Sequence, residues 1–395
     1  MSSAEAASRF MARALELAER GRYTTHPNPR VGCVVVRDGA IVGEGWHQQA
    51  GQPHAEIHAL RAAGDRARGA EVFVTLEPCC HHGRTGPCTG ALISAGVKKI
   101  WMALQDPNPK VGGQGAAILR AAGIEVQSGL MQPAAAALNR GFISRMTRGR
   151  PWITLKLAAS LDGRSAMASG ESKWITSEEA RADVHRLRAD AGAVLTSSET
   201  VLADDPSLTV REFHPAPPDP RPPAGGEGKY LFRQPDRIVL DARMRVPLNS
   251  KVFARDGARR FWMHSGSLSP MPAGHGGEAP RLGSGQDWGE GAVIQDLKCD
   301  ASGRVNLSDA LARLAQYEVN HILVESGPRL AGAFLQQGLV DEIVLYLAPS
   351  LLGHEARPLA LLPGLQHLEQ RLRLEMTDVQ RIGADLRLTA SPISA

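Results

Sequence analysis

The amino-acid sequence predicts two successive α/β domains. Strand and helix patterns alternate along both halves of the 395 residues, and a basic segment with a glycine and a proline, residues 145–151, separates the halves. At roughly 150 residues per domain, the length allows two or three domains. We expect one domain over residues 1–148 and a second over residues 149–395, joined by the linker 145–151.

The first half predicts an α/β/α sandwich of about 140 residues. An amphipathic pattern over residues 1–21 indicates a helix, with Ser2 and Glu5 at the spacing of a capping box. Asp38-Gly39 is typical of a tight hairpin turn between two strands. Periodicity predicts strands over 31–36, 41–43, 71–76, 97–104 and 124–126, and helices over 54–63, 88–95 and 115–122.

The second half repeats the alternation with different residues. Thr176 and Glu179 have the spacing of a capping box at the start of one helix. Two tracts rich in proline and glycine, residues 214–228 and 265–291, are predicted to be exposed loops. Strands are predicted over 152–158, 193–196, 237–241, 321–325 and 343–347, and helices over 176–188 and 327–336.

Composition excludes several classes of protein. The chain is 43% hydrophobic and 22% charged, which is ordinary for a folded globular domain, and no uncharged apolar run approaches the ~18 residues of a membrane span. The net charge of +4 comes from scattered basic residues, so no nucleic-acid-binding stripe is indicated. Five cysteines are too few and odd in number for a disulfide framework, and the N-terminal pattern is not a signal peptide. We therefore expect a cytoplasmic protein.

The first half contains three potential metal ligands, His54, Cys79 and Cys88, and a carboxylate, Glu56, two residues after the histidine. One histidine and two cysteines can hold Zn²⁺ and leave a fourth position for water. A nearby carboxylate can carry the proton of that water to a departing nitrogen. The pattern predicts one zinc ion per chain and hydrolysis of a C–NH₂ group.

Other interpretations of these residues remain open. A His-x-Glu pair also occurs by chance, and His58 shares a helix face with His54 and could replace it as a ligand. Cys79 and Cys88 could form a disulfide, although a reducing compartment disfavours one. The order HAEIH does not fit the HExxH register of zinc proteases.

His-x-Glu, Pro-Cys and a second Cys resemble the zinc deaminase signature. Eight residues separate Cys79 from Cys88, where nucleic-acid deaminases typically have two. With HPNPRVGCVVV (26–36), GEGWHQQAGQPHAEIHAL (43–60), LEPCCHHGRTGPC (76–88) and QDPNP (105–109), the chain resembles the pyrimidine deaminases of riboflavin biosynthesis, except that Cys80 stands where that family commonly has serine. The resemblance implies a cytidine-deaminase-like fold and deamination of 2,5-diamino-6-ribosylamino-4(3H)-pyrimidinone 5′-phosphate. It places Asn28, His47, His81 and Arg84 around the substrate; Asn28 could instead serve only the turn between two prolines.

The second half has no GxGxxG fingerprint. Its segments 155–176, 195–211 and 324–335 resemble the reductase domain that is fused to this deaminase. That resemblance implies a dihydrofolate-reductase-like fold, NADPH, and reduction of the ribosyl group of 5-amino-6-(5-phosphoribosylamino)uracil to ribityl. The implied cofactor contacts are Ala158, Trp174, Thr200, Asp204, Gly327, Pro328, Arg329, Leu330, Ala331, Gly332 and Ala333. The implied substrate contacts are Ser172, Arg188, Leu208, Arg211 and Glu325, with Arg188 and Arg211 suited to the 5′-phosphate.

We further hypothesise that Lys156 and Asp204 handle protons in the reduction; a structural ion pair is the alternative. Ala242 replaces a serine that the family often has at a cofactor contact. The family also suggests a homodimer formed through the reductase domain. Two rival classes are a tRNA or single-strand deaminase, which 5% aromatic residues and the cysteine spacing disfavour, and a non-enzymatic zinc scaffold, which the Glu56 carboxylate disfavours.

Overall fold

The computed structural model describes residues 3–80, 86–109, 111–211, 232–265, 291–300 and 303–393. The chain divides into two compact units between Arg150 and Pro151. Both units are α/β structures, which confirms the predicted fold class. Ser2, His81, Arg84, the tract 214–228 and all but the end residues of 265–291 lie outside the described residues.

The first unit contains five strands and six helices among the described residues. The strands are β1 Gly32–Arg37, β2 Ala40–Trp46, β3 Glu71–Val74, β4 Lys99–Met102 and β5 Glu125–Ser128. The helices are α1 Ser3–Glu19, α2 Ala55–Ala63, α3 Cys88–Ala95, α4 Gln114–Ala121, α5 Gln132–Leu138 and α6 Arg140–Arg148.

These elements form a three-layer sandwich around a sheet of order β2-β1-β3-β4-β5. Strand β1 is antiparallel to both neighbours, whereas β3, β4 and β5 are parallel. Successive residues of β1 face opposite sides: Cys33 and Val35 pack with α2, α3 and α4, while Val34 and Val36 pack with α1 and α5. Helices therefore cover both faces, as the alternating sequence pattern predicts.

The hairpin prediction is confirmed and the linker prediction is wrong. Asp38 and Gly39 both have positive φ, 50° and 76°, as a type I′ turn between β1 and β2 requires. Residues 140–148 are helical, so most of the expected linker is the end of α6. Arginine is a good helix former, and the helix ends only at Gly149, whose φ is 67°.

The second unit contains eleven strands and four helices among the described residues. The strands are β6 Trp152–Ser160, β7 Arg164–Ala166, β8 Ala193–Ser197, β9 Asp236–Leu240, β10 Arg260–His264, β11 Ala292–Asp296, β12 His321–Glu325, β13 Glu342–Ala348, β14 Arg357–Pro358, β15 Leu374–Ile382 and β16 Asp385–Pro392. The helices are α7 Glu178–Ala191, α8 Ser198–Asp204, α9 Leu307–Gln316 and α10 Pro328–Gln336.

Nine of these strands form one sheet of order β11-β10-β9-β8-β12-β6-β13-β16-β15. The seven strands from β11 to β13 are parallel, and β16 and β15 add an antiparallel edge. The core clusters place α9 and α10 on one face of the sheet and α7 and α8 on the other. The carboxyl ends of β8, β6 and β12 thus meet at one edge, where ligands bind in sheets of this kind.

Helix α7 begins one residue later than its expected capping box. The hydroxyl oxygen of Ser177, not of Thr176, accepts the N–H of Ala180 at 3.3 Å and caps the helix. The helix then continues beyond the predicted end at Arg188 to Ala191. Among the described residues, none of the helices combines the length and the apolar character that crossing a membrane requires.

Candidate active sites

The first turn of α2 carries two of the predicted site residues. His54 is the N-cap of α2 and Glu56 lies in its first turn. The helix approaches β2 closely because two glycines face it: a Cβ atom on Gly43 would lie 2.2 Å from the carbonyl oxygen of Ala59, and one on Gly45 would lie 2.4 Å from that of Ala55. The absence of side chains at Gly43 and Gly45 therefore lets α2, and with it His54 and Glu56, lie close against β2.

The two cysteines reach the same point from the end of β3 and the start of α3, a helix that packs on the same face of the sheet as α2. Cys79 follows β3, and Cys88 is the first residue of α3. Their sulfur atoms lie 3.5 and 3.4 Å from Nδ1 of His54. His54, Cys79 and Cys88 are the one group of candidate metal ligands found in the described part of the chain, and their ligand atoms lie within 4.8 Å of one another.

The donor set suits a zinc ion. A hydrogen bond from the Cys88 thiol, aided by His54, lowers the pKa of Cys79 to about 4, so one thiolate forms at neutral pH. The same hydrogen bond to Cys79, together with burial, raises the pKa of Cys88. A divalent cation between the two sulfurs would stabilise both thiolates and so lower the pKa of the second thiol until it loses its proton.

Glu56 lies beside this group and is 3% exposed. Burial raises the pKa of its carboxyl to about 7, and the charge of Cys79 adds to the shift. A cation bound to the two thiolates would act in the opposite direction. The carboxyl is thus held next to the metal position without being one of the three ligands.

Asn28 and His47, two of the expected substrate contacts, form a second pair near this site. The Asn28 amide nitrogen lies 3.0 Å from Nε2 of His47, and Nδ1 of His47 lies 3.2 Å from the Pro53 carbonyl oxygen. Burial lowers the pKa of His47 to about 4, so the ring is neutral, donates from Nδ1 and accepts at Nε2. The His47 ring meets the His54 ring edge-on at 5.3 Å between centroids. Asn28 also serves the turn, since its N–H donates to the Thr25 carbonyl oxygen.

Two open alternatives find no support. His58 does not join the ligand group, and its Nε2 is buried without a hydrogen-bond partner in the described structure. Cys79 and Cys88 are free thiols. Sequence reasoning missed Glu77, a buried carboxylate two residues before Cys79; its position before Pro-Cys is the signal that could have drawn attention to it.

In the second unit, three charged side chains meet where β6 and β12 lie side by side. Nε and Nη2 of Arg188 donate to the two carboxylate oxygens of Glu325 at 2.6 and 3.0 Å, and Nη1 donates to the Thr209 carbonyl oxygen at 3.0 Å. Lys156 pairs with Glu325 in the strand register. Burial and the charge of Arg188 lower the pKa of Lys156, while Glu325 opposes the shift.

This arrangement differs from two expectations. The charged groups that act on the Lys156 amine are Glu325 and Arg188, whereas Asp204 is an exposed residue at the end of α8. Arg188 is committed to Glu325 and Thr209, so Arg211, which is exposed, is the better placed of the two arginines to meet a phosphate.

The predicted cofactor contacts cluster at the start of α10. Gly327 is the N-cap and Pro328 the first helical residue. The Gly327 N–H donates to Thr200 Oγ1 at 3.3 Å, which joins α10 to α8, and Arg329 pairs with Glu199 at 2.9 Å. Exposed N–H groups at such a helix start favour an anionic group.

Other predicted contacts face the protein interior. Ala331 belongs to the main core cluster, with Leu330 and Ala333 packed against it, and a Cβ atom on Gly332 would lie 1.8 Å from the Leu361 carbonyl oxygen. The Leu208 side chain is 3% exposed and packs in the core beside α8, so only its backbone can meet a substrate.

The remaining predicted contacts are more accessible. Ala158 and Ser172 are half-buried. The Trp174 side chain is 68% exposed, and the Arg181 guanidinium lies 4.5 Å from its ring centroid.

Comparison with known proteins agrees with both halves of this description. Residues 4–104 match the family model of the cytidine and deoxycytidylate deaminase zinc-binding region, and residues 151–388 match that of the RibD C-terminal domain. The riboflavin biosynthesis protein RibD of Escherichia coli (strain K12) is 50% identical over 379 residues, which cover 96% of this chain and 97% of that protein.

Solved structures give the same result. RibD of Acinetobacter baumannii is 41% identical with a TM-score of 0.86, over 99% of this chain and 100% of that one. A Thermotoga maritima protein described as a diaminohydroxyphosphoribosylaminopyrimidine deaminase/5-amino-6-(5-phosphoribosylamino)uracil reductase is 31% identical with a TM-score of 0.80, again over 99% and 100%. The chain therefore belongs to the RibD family, the bifunctional riboflavin biosynthesis proteins that join a zinc-dependent deaminase to an NADPH-dependent reductase.

Proposed function

We propose that the first unit deaminates 2,5-diamino-6-ribosylamino-4(3H)-pyrimidinone 5′-phosphate and that the second reduces the ribosyl group of 5-amino-6-(5-phosphoribosylamino)uracil to ribityl. The main support is that one chain carries a His/Cys/Cys group beside a buried glutamate and, separately, a Lys–Glu–Arg cluster at the ligand-binding edge of a parallel sheet. The Thermotoga maritima relative is described as having both activities. We assign the deaminase to residues 1–148 and the reductase to residues 149–395.

In the deaminase, His54, Cys79 and Cys88 would hold the metal. Zinc, when bound, supplies the Lewis acidity that lets a water molecule lose its proton near neutral pH. Glu56 accepts that proton and delivers it to the amino nitrogen, so that C–NH₂ and water become C=O and ammonia. Its burial next to the ligands suits this task, because burial raises the pKa of the carboxyl and so offsets the lowering by a bound cation.

Asn28 and His47 would orient the pyrimidine. Asn28 uses one amide hydrogen on His47, which leaves its carbonyl oxygen and second hydrogen for the amide edge of the ring. His47 stays neutral and is held by the Pro53 carbonyl, so it fixes Asn28 without adding charge. His81 and Arg84 complete the proposed pocket by resemblance.

In the reductase, the hydride goes to C1′ of the sugar, the bond from C1′ to the ring oxygen breaks, and that oxygen takes a proton. NADPH, when bound, supplies the hydride. We assign the proton to Lys156, because burial beside Arg188 makes its ammonium group a better acid. The Glu325 carboxylate, held in place by Arg188, would accept a hydrogen bond from a sugar hydroxyl. Arg211 would bind the 5′-phosphate.

We also propose a cytoplasmic homodimer formed through the reductase domain. Strand β15 lies at the edge of the large sheet and is almost wholly exposed over nine residues, with Met376 50% and Val379 59% accessible. An exposed edge strand presents unpaired backbone N–H and C=O groups, which can pair with another chain. All five cysteines are free thiols, as in reducing compartments.

Two cysteine-to-serine substitutions test the proposed deaminase site. Cys88→Ser should leave the purified protein with far less than one zinc per chain and no ammonia release, while NADPH oxidation with the pre-deaminated uracil continues. Cys80→Ser, a matched control that touches no proposed ligand, should keep zinc and both activities. A Cys88→Ser protein with full zinc and normal ammonia release would contradict the assignment.

A further inference from the structure

A buried carboxylate fastens the chain before Cys79 to the start of α4. Glu77 is 3% exposed. One of its carboxylate oxygens accepts the backbone N–H groups of Asp106 and Gly113, at 3.1 and 2.9 Å, and the other accepts that of Ala116 at 2.9 Å. Hydrogen bonds to an ionised carboxylate are stronger than neutral ones, and the first turn of a helix favours negative charge. The three bonds therefore make a strong anchor.

A glycine gives a second, independent contact at the same place. A Cβ atom on Gly115 would lie 2.2 Å from the Pro78 carbonyl oxygen, closer than real Cβ contacts allow. The backbone of Pro78 thus rests directly on the first turn of α4. This approach exists because residue 115 has no side chain.

Cys79 follows Pro78 immediately and has no helix or strand of its own to hold it. Downstream, its carbonyl oxygen accepts the N–H of Thr89 at 3.2 Å, and its sulfur accepts the N–H of Cys88 at 3.4 Å. The sulfur position is therefore determined between two supports, α4 before the cysteine and α3 after it.

We propose that Glu77 and Gly115 are positioning residues of the metal site: together they hold the Cys79 sulfur where it can share one zinc ion with His54 and Cys88. This inference rests on the zinc site proposed above. If Glu77 served only the loop from Asp106 to Gly113, its loss would lower stability without altering the metal.

The first test is Glu77→Gln in the full chain. Glutamine keeps the side-chain size but replaces one carboxylate oxygen with an NH₂ group. That group cannot accept a hydrogen bond from a backbone N–H. Losing a residue that hydrogen-bonds a metal ligand directly typically costs about 10–100-fold in metal affinity. Glu77 acts through the backbone before Cys79, so we expect the lower end, a loss of about 10-fold in zinc affinity, measured by competition with a chromophoric chelator. The Co²⁺-substituted protein should also show shifted thiolate-to-cobalt and d–d absorption bands. Glu71→Gln, on β3 and bonded to Trp101, is the matched control and should change neither.

The second test uses glycines. Gly115→Ala should displace Pro78 and weaken zinc binding in the same way. Gly90→Ala is the control, because a Cβ atom there would meet only Cγ of Pro87, at an ordinary 3.8 Å. Gly115→Ala decides the question if Glu77→Gln does not fold, and far-ultraviolet circular dichroism with limited proteolysis of residues 1–150 in the full chain reports whether the first unit of each variant has folded.

A folded Glu77→Gln or Gly115→Ala protein with wild-type zinc affinity and an unchanged cobalt spectrum would overturn the inference, whatever its thermal stability. Failure of the proposed site itself looks different. In that case Cys79→Ser would bind zinc as tightly as the unchanged protein.

Discussion

Replacing Glu56 with glutamine removes the proposed proton carrier of the deaminase and keeps the shape of its site. The side chain is 3% exposed, so a residue of equal size is needed to avoid a cavity. Glu56 is not one of the three grouped ligands, and zinc should stay at one ion per chain. General acid–base catalysis contributes typically about 10²–10⁴-fold, or roughly 3–5 kcal/mol of barrier. We expect kcat for ammonia release to fall by about that factor.

The assay measures ammonia release and NADPH oxidation on the same purified chain. Glu56→Gln should oxidise NADPH at the normal rate with the pre-deaminated uracil, because Glu56 belongs to the first unit and the Lys156 cluster to the second. Glu44→Gln, which removes a surface partner of Arg13, is the control and should leave ammonia release intact. Equal loss of both activities, or deamination within a few-fold of normal, would refute the role given to Glu56.

Three further predictions concern the supports of the two sites. Gly45→Ala should push the start of α2 away from β2, lower the stability of the protein by about 1–3 kcal/mol and remove most of the bound zinc, as measured by thermal unfolding and metal analysis. Gly86→Ala, whose Cβ would meet nothing within 4 Å, should change stability and zinc content little. Equal effects of the two substitutions would contradict the close-packing argument. Glu325→Gln should leave Arg188 without its counter-ion where the two side chains are only 12–13% exposed, and should lower stability by about 3–5 kcal/mol. Adding Arg188→Met should recover much of that stability but not NADPH oxidation. Recovery of NADPH oxidation in the double variant would argue against a functional role for the pair. Chelation of the metal should stop ammonia release and spare NADPH oxidation; loss of both would mean that the reductase also needs the ion.

The sequence predicted the deaminase site better than the reductase site. Metal ligands are recognisable from residue type alone, because few side chains can bind zinc, and His54, Cys79 and Cys88 do converge. The position of Glu77 before Pro-Cys draws attention to it but does not reveal its role, since its partners are backbone N–H groups of residues 106–116 that no side-chain pattern marks.

In the reductase, the unpredicted features are pairings between distant residues. Arg188 and Glu325 are 137 residues apart, and they were assigned separate contacts with substrate although they bind each other. The sequence suggests Asp204 as the partner of Lys156 in proton handling, but the strand register sets Lys156 beside Glu325. Side-chain type indicates charge chemistry here, while sheet topology decides the partner.

Secondary structure was missed where strands lack a clean period. Strand β10 is fully buried and includes Arg260 and His264, and β15 carries an irregularity between Met376 and Asp378 that breaks the alternation. The basic residues, glycine and proline of 145–151 suggest a linker, although arginine favours helices and α6 extends to Arg148. The secondary structure of these segments depends on burial in the sheet and on position at its edge, which a local sequence pattern does not show.

Mass spectrometry of the products tests the central claim that one chain carries both reactions. With the diamino pyrimidine substrate and no NADPH, the account predicts accumulation of the deaminated ribosylamino uracil, one mass unit heavier because NH₂ is replaced by OH. With NADPH added, the product should gain a further two mass units as ribosyl becomes ribityl. A product reduced without deamination in the Glu56→Gln chain would require revision of the order, and no mass change with zinc and NADPH present would contradict the account.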